Sequence, residues 1–121
     1  MPFDWSQYLA LAEELAERQN DEAALRSAIS RAHYAAFCLA RNRLRQEGVA
    51  LPRTGAAHGM IWATYRETAG SSTRRSIGHI GDRLRVIRNM ADYDDTVVDL
   101  VSWARFALSR ARLVLTLLNS I

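Results

Sequence analysis

The stretch from Asn20 to Glu47 constrains the fold most. It holds apolar residues at helical spacing (Leu25, Ile29, Ala32, Ala36, Leu39), contains no proline, and stops at Gly48. At 1.5 Å per residue such a helix runs about 40 Å over about 27 residues, with Asn20 as its expected cap. Seven alanines (Ala23, Ala24, Ala28, Ala32, Ala35, Ala36, Ala40) keep its surface thin, so neighbouring helices approach closely. A chain of 121 residues has room for one core, and a helix this long organises it. The expectation is a single all-α domain over residues 1–121.

The remaining segments follow the same period. Phe3 to Arg18 reads as a first helix, with Asp4 and Gln7 in a capping-box pattern and Leu9, Ala12, Leu15 and Ala16 on its apolar face. Gly48 to Gly55, with Pro52, is a loop. A third helix is expected from Ala56 to Thr68. A fourth, capped by Ser72 or Thr73, carries the stripe Ile77, Ile80, Leu84, Ile87 and Ala91. Gly78 and Gly81 each cost it about 1 kcal/mol against alanine, which predicts loose first turns. The fifth helix is expected to start at Asp94 or Asp95. Its stripe Val97, Val101, Ala104, Leu108, Ala111, Leu115 and Leu118 is joined around the cylinder by Trp103, Phe106, Leu113 and Leu117. A helix apolar on more than one face buries more than one face, which predicts a homodimer. No segment alternates as a strand does, so the architecture is an antiparallel helical bundle.

Composition excludes several classes. Hydrophobic residues make up 49% and charged residues 24%, a soluble, ordered balance. No apolar run approaches the roughly 20 residues of a membrane span, and no secretory signal opens the chain, so a cytoplasmic location is expected. Cys38 is the lone cysteine and has no partner for an internal disulfide. Mid-helix between Phe37 and Leu39, it reads as an inert core thiol. His33, His58 and His79 show no ligand spacing, and Asp92, Asp94 and Asp95 read as a helix-end cluster, so neither a metal nor a cofactor is expected. Gly-rich phosphate loops, dinucleotide fingerprints and nucleophile elbows are missing from the sequence. All sixteen basic residues are arginine, for a net charge of +3, a weak overall pull on nucleic acid.

The least ordinary feature is Arg88, at the edge of the fourth helix's apolar stripe, with Asn89, Asp92 and Tyr93 after it. Chemistry on RNA needs a cation for the phosphate and a group that moves the 2′-hydroxyl proton. Arg88 suits the first role, and His58, Tyr93 or Asp92 the second. Arg31 and Tyr34 complete the candidate RNA- or nucleotide-binding set. Against this stands a plain structural reading, an Arg88–Asp92 ion pair that locks the end of the helix. Tyr34 reads as a core phenol with a buried hydrogen bond, His33 as exposed or at a dimer seam, and His79 as a surface residue. Arg41, Arg43 and Arg45 read as a solvated helix end, and Arg74-Arg75 opposes its helix dipole.

Three short motifs in order carry a resemblance. Ser30-Arg31-Ala32-His33-Tyr34-Ala35-Ala36-Phe37 resembles the Ser-Arg-x-Tyr-Tyr-Ala-x-Phe helix of HEPN-domain proteins. His58 is similar to the histidine that opens the third helix in one branch. Leu84-Arg85-Val86-Ile87-Arg88-Asn89-Met90-Ala91-Asp92-Tyr93 resembles that branch's Leu-Arg-x-x-Arg-x-x-Ala-Asp-Tyr segment. The resemblance, from about Ala24 onward, implies a four-helix bundle with an added helix, usually a homodimer. Many such proteins are metal-independent ribonucleases in toxin–antitoxin and phage-defence systems, using an Arg followed four to six residues later by a His. Here positions 93 to 95 are Tyr, Asp and Asp. Two readings follow: an RNA-acting protein in which Tyr93 or His58 replaces that histidine, or a non-catalytic module that pairs with a nucleotidyltransferase partner.

Overall fold

A computed structural model describes all residues from Met1 to Ile121. The chain forms five helices and no strand: α1 (Ser6–Ala16), α2 (Glu22–Gln46), α3 (Ala57–Arg66), α4 (Ser72–Tyr93) and α5 (Leu100–Asn119). α2 is the axis of the bundle and touches all four others. Its alanines explain how: Ala28, Ala32, Ala35, Ala36 and Ala40 are completely buried, so backbones close in without side chains between them. No helix is long and apolar enough to cross a membrane.

The ends differ from the sequence expectations in instructive ways. Asp21, not Asn20, caps α2, accepting from the Ala24 amide at 3.1 Å. Ser71, one residue before the expected cap, accepts from the Arg74 amide at 3.2 Å. Asp4 holds the start of α1 through the amide and hydroxyl of Ser6, at 3.0 and 2.7 Å, rather than through a box with Gln7. Gly48 ends α2 with φ of 86°, the left-handed turn that a Cβ disfavours.

The fifth helix starts later than expected. Residues 94–99 are irregular, and α5 begins after Asp99, which adopts a left-handed φ of 58°. Arg26 on α2 accounts for this segment. Its Nη1 donates to the carbonyls of Ala91 (2.9 Å) and Asp94 (2.6 Å), and Nη2 to that of Asp95 (3.3 Å). A guanidinium at the C-terminal end of α4 satisfies carbonyls that continued helix would otherwise use. Asp94 and Asp95 therefore do not begin α5; Asp94 instead caps the C-terminal end of α4, its amide donating to the Met90 carbonyl at 3.0 Å. On α5, Leu100, Ala104, Ala107, Leu108, Ala111, Val114 and Leu118 are buried. Trp103, Phe106, Leu113 and Leu117 are only half-buried in the single chain.

The two glycines of α4 are packing devices. A Cβ at Gly81 would overlap the Trp62 indole, and one at Gly78 would overlap the backbone of Trp62 and Arg66. α3 thus lies directly on α4 at these turns, and Gly78, Gly81 and Ile77 are buried. The helix exchanges local propensity for close approach. Instead of the loose turns expected, this is where Trp62, itself fully buried, is seated. Both arginines of the Arg74-Arg75 pair are held within the chain: Arg74 grips Glu47 through two contacts, at 3.0 and 2.5 Å, and Arg75 donates to the Thr68 carbonyl.

Candidate functional site

Three helices bring the candidate residues together. His33, Tyr34 and Phe37 share one face of α2, His58 opens α3, and Arg85, Arg88, Asn89 and Tyr93 rise along the second half of α4. Tyr34, His58, Arg85, Arg88, Asn89 and Tyr93 line one open cleft of about 550 Å³, with Gly55 and Gly59 on its rim. Residues 34, 58, 88, 89 and 93, chosen from sequence, therefore converge. Asp92 reaches the group through its ion pair with Arg88. Arg31 does not line the cleft: its guanidinium lies 4.8 Å from the ring centre of Tyr8 and 5.4 Å from that of Tyr34, tying α1 to α2.

His58 is stacked in place. Its ring lies 4.2 Å from that of Phe37 with planes only 9° apart, 5.9 Å from that of His33, and edge-on to Tyr34 at 5.8 Å. Burial, with Arg88 and Arg85 nearby, holds its pKa below the usual imidazole value. At neutral pH His58 is therefore an uncharged proton acceptor beside two cations. His33 lies deeper and corrects the sequence reading. It is fully buried rather than exposed, and burial, then Arg88, His58 and Arg85, lowers its pKa to about 3. Tyr34 is also corrected: it is half-buried and its hydroxyl makes no hydrogen bond within the chain. The phenol that does is Tyr65, donating to the Ala40 carbonyl at 2.8 Å. His79 is exposed and Cys38 buried, its thiol pKa raised by burial, as expected.

Arg88 is 9% exposed. Its Nη1 reaches Asp92 Oδ2 at 3.4 Å, the long end of a hydrogen bond, and its guanidinium carbon stands 5.7 Å from the Tyr34 ring centre. Nε finds no acceptor in the protein. The same holds for both ring nitrogens of His33, Nδ1 of His58 and Nε1 of Trp62. These five are all the buried side-chain polar atoms of the chain that lack a partner, and they gather in one aromatic cluster under the cleft. Buried polar atoms are normally paired, so their concentration at one place makes this cluster the candidate site.

Arg85 was missing from the sequence-based set. Its Nε is held by Asp82 at 3.0 Å, and Asp82 in turn holds Arg66 at 3.1 Å, which fixes the side chain at the cleft. The signal was available: Arg85 and Arg88 are three apart and share a helix face. Phe37, the ring that orients His58, also went unremarked as a site residue, because a phenylalanine in an alanine-rich helix reads as core.

The cleft brings two guanidiniums and a neutral histidine together with no carboxylate in its lining, on an all-helical bundle. The sequence pattern of the HEPN domain family matches residues 6–121, and the chain belongs to that family of RNA-related or nucleotide-binding modules. No curated protein and no solved structure matches the chain.

Proposed function

We propose that this protein binds RNA through a backbone phosphate in the Arg85–Arg88 cleft and cleaves it without a metal, with His58 in place of the histidine missing after Arg88. The observation that carries the reading is the buried Arg88 guanidinium, half-paired with Asp92 and with a free Nε, beside an uncharged His58. Guanidiniums bind phosphate through paired N–H donors. In the proposed reaction His58 takes the proton of the 2′-hydroxyl, and the 2′-oxygen attacks phosphorus. Arg88 and Arg85 stabilise the extra negative charge on the phosphoryl oxygens. The P–O5′ bond breaks and the leaving oxygen takes a proton from water at the open face, the hydroxide so formed taking back the proton held by His58, to give a 2′,3′-cyclic phosphate and a 5′-hydroxyl. Asn89 orients the phosphate, and Tyr34 and Tyr93 offer rings to the bases. We also propose that the protein acts as a homodimer, supported by the half-buried Trp103, Phe106, Leu113 and Leu117 and the exposed Val86. A toxin-like or defence-associated setting rests on the family resemblance.

The test is incubation of purified protein with total RNA and with tRNA at several pH values, with Arg88→Ala alongside. Cleavage that disappears in Arg88→Ala supports the reading. Equal, near-zero cleavage in both removes the enzyme. A second reading then stands, a non-catalytic module in which the cleft holds a phosphate or a carboxylate of a nucleotidyltransferase partner. It is favoured by one observation, that the motif position after Arg88 holds Tyr93, 75% exposed, rather than a histidine. Co-purification with such a partner, lost in Arg88→Ala, supports it.

A further inference from the structure

We infer that the anion site continues past His58 into a second cleft, so that the ligand is an extended single strand of RNA rather than one nucleotide. This rests on the phosphate-binding reading of the first cleft. The second cleft, about 380 Å³, is lined by Arg41 and Arg45 of α2 and Arg53 of the loop before α3. His58 and Gly55 line both clefts. His58 thus stands between two guanidiniums on one side and three on the other.

The second set of arginines includes the solvated end of α2, and the fold gives that end a cleft. Arg41 and Arg45 are four residues apart on one face of α2, and the loop folds Arg53 towards them. Arg45 and Arg53 are exposed and neither takes part in an ion pair. Arg41 spends its Nε on the Asn42 side chain at 3.1 Å, with its guanidinium 5.4 Å from the Trp5 ring centre. Arg43, by contrast, points away and pairs with Glu47. Neither cleft is lined by an aspartate or glutamate. One phosphate is fully served by one or two guanidiniums, so five of them across two joined clefts suit successive phosphates of a chain.

The shape of the crossing agrees. A Cβ at Gly55 or Gly59 would meet nothing within 4 Å, so no side chain narrows the passage beside His58. Tyr34 and Tyr93 present rings in and at the mouth of the first cleft. Aromatic faces beside a basic groove bind unpaired bases by stacking, and a duplex keeps its bases out of reach of such rings.

The experiment compares wild type, Arg88→Ala and the double variant Arg45→Ala/Arg53→Ala. Fluorescence anisotropy reads the binding of a labelled oligouridylate of about ten nucleotides, and calorimetry that of uridine monophosphate. The double variant is expected to lose about tenfold in affinity for the oligonucleotide, and its dependence of log K on log salt should flatten by about 1.4, two contacts at about 0.7 each. Its affinity for the mononucleotide should stay at the wild-type value. Both replaced side chains are exposed and outside ion pairs, so the melting temperature reports that the fold is kept. Unchanged oligonucleotide affinity and slope in the double variant overturn the second subsite, even where Arg88→Ala abolishes binding and so upholds the first. An equal loss for mononucleotide and oligonucleotide overturns it too. Equal binding of an RNA duplex, or of polyglutamate of the same length, overturns the single-strand assignment. Binding by none of the proteins overturns the phosphate reading itself.

Discussion

The Arg88 guanidinium carbon lies 5.7 Å from the centre of the Tyr34 ring, a cross-helix contact that holds it over α2 rather than along its own helix. A simple lock would spend the guanidinium on the Asp92 carboxylate one turn on. Instead Arg88 makes one long contact to Asp92, at 3.4 Å, and leaves Nε unpaired above an aromatic cluster.

From this comes a prediction that separates ligand binding from locking. Asp92→Asn removes the carboxylate that competes with an incoming phosphate. Both side chains are mostly buried, 11% and 27% exposed, so the guanidinium left uncompensated should lower the melting temperature of the free protein by several degrees. RNA or nucleotide binding should tighten, by about twofold at low salt. Anisotropy titration reads it; weakened binding would mean that Asp92 positions Arg88 instead.

His33 should make the fold acid-labile. Its folded pKa, about 3, lies below the ordinary imidazole value of 6.5. The unfolded chain therefore binds the extra proton between those values, and stability falls as pH drops through that window. At pH 4.5 the loss is on the order of 2–3 kcal/mol relative to pH 7. His33→Leu should remove most of that pH-dependent loss, as read by urea denaturation at the two pH values. Identical acid sensitivity in variant and wild type would place the titrating group elsewhere.

His58 supplies the pH profile of the proposed reaction. Its pKa is lowered, so the proton-accepting form should be reached below pH 6.5, and cleavage should rise with pH and plateau by neutrality. His58→Ala should reduce cleavage by at least about a hundredfold while Arg88 still holds RNA. A plateau shifted into the alkaline range would point to a tyrosine base.

Gly81→Ala is expected to destabilise the protein although alanine favours a helix by about 1 kcal/mol. The added methyl meets the Trp62 indole in a fully packed region. Overpacking of this kind costs about 1–3 kcal/mol or more. Thermal unfolding, compared with Gly59→Ala, where a Cβ meets nothing within 4 Å, should show a drop at position 81 only.

Sequence periodicity alone determined the five helices, the alanine-rich central axis and the absence of strands, all of which follow from local spacing and small-residue content. The family rested instead on three short motifs in order. The sequence also singled out Arg88, with Asn89, Asp92 and Tyr93 after it, because a cation at the edge of an apolar stripe is visible in one helix, and Tyr34 and His58 through the chemistry RNA needs and the short motifs. Only the tertiary structure decided which of them share a cleft. Helix α3 brings His58 against Phe37 and beneath Arg88, and no local signal predicts that crossing. His33 shows the limit clearly: on a helix rich in small residues an imidazole looks exposed, and only the packing of α3 and α4 over it takes it out of water. Arg31 stays outside the cleft lining for the converse reason, since Tyr8, the ring nearest to its guanidinium, lies on a different helix. The loop arginine Arg53 joins Arg41 and Arg45 only when the chain turns back at Gly48. Long-range juxtaposition, not residue type, makes these charges one surface.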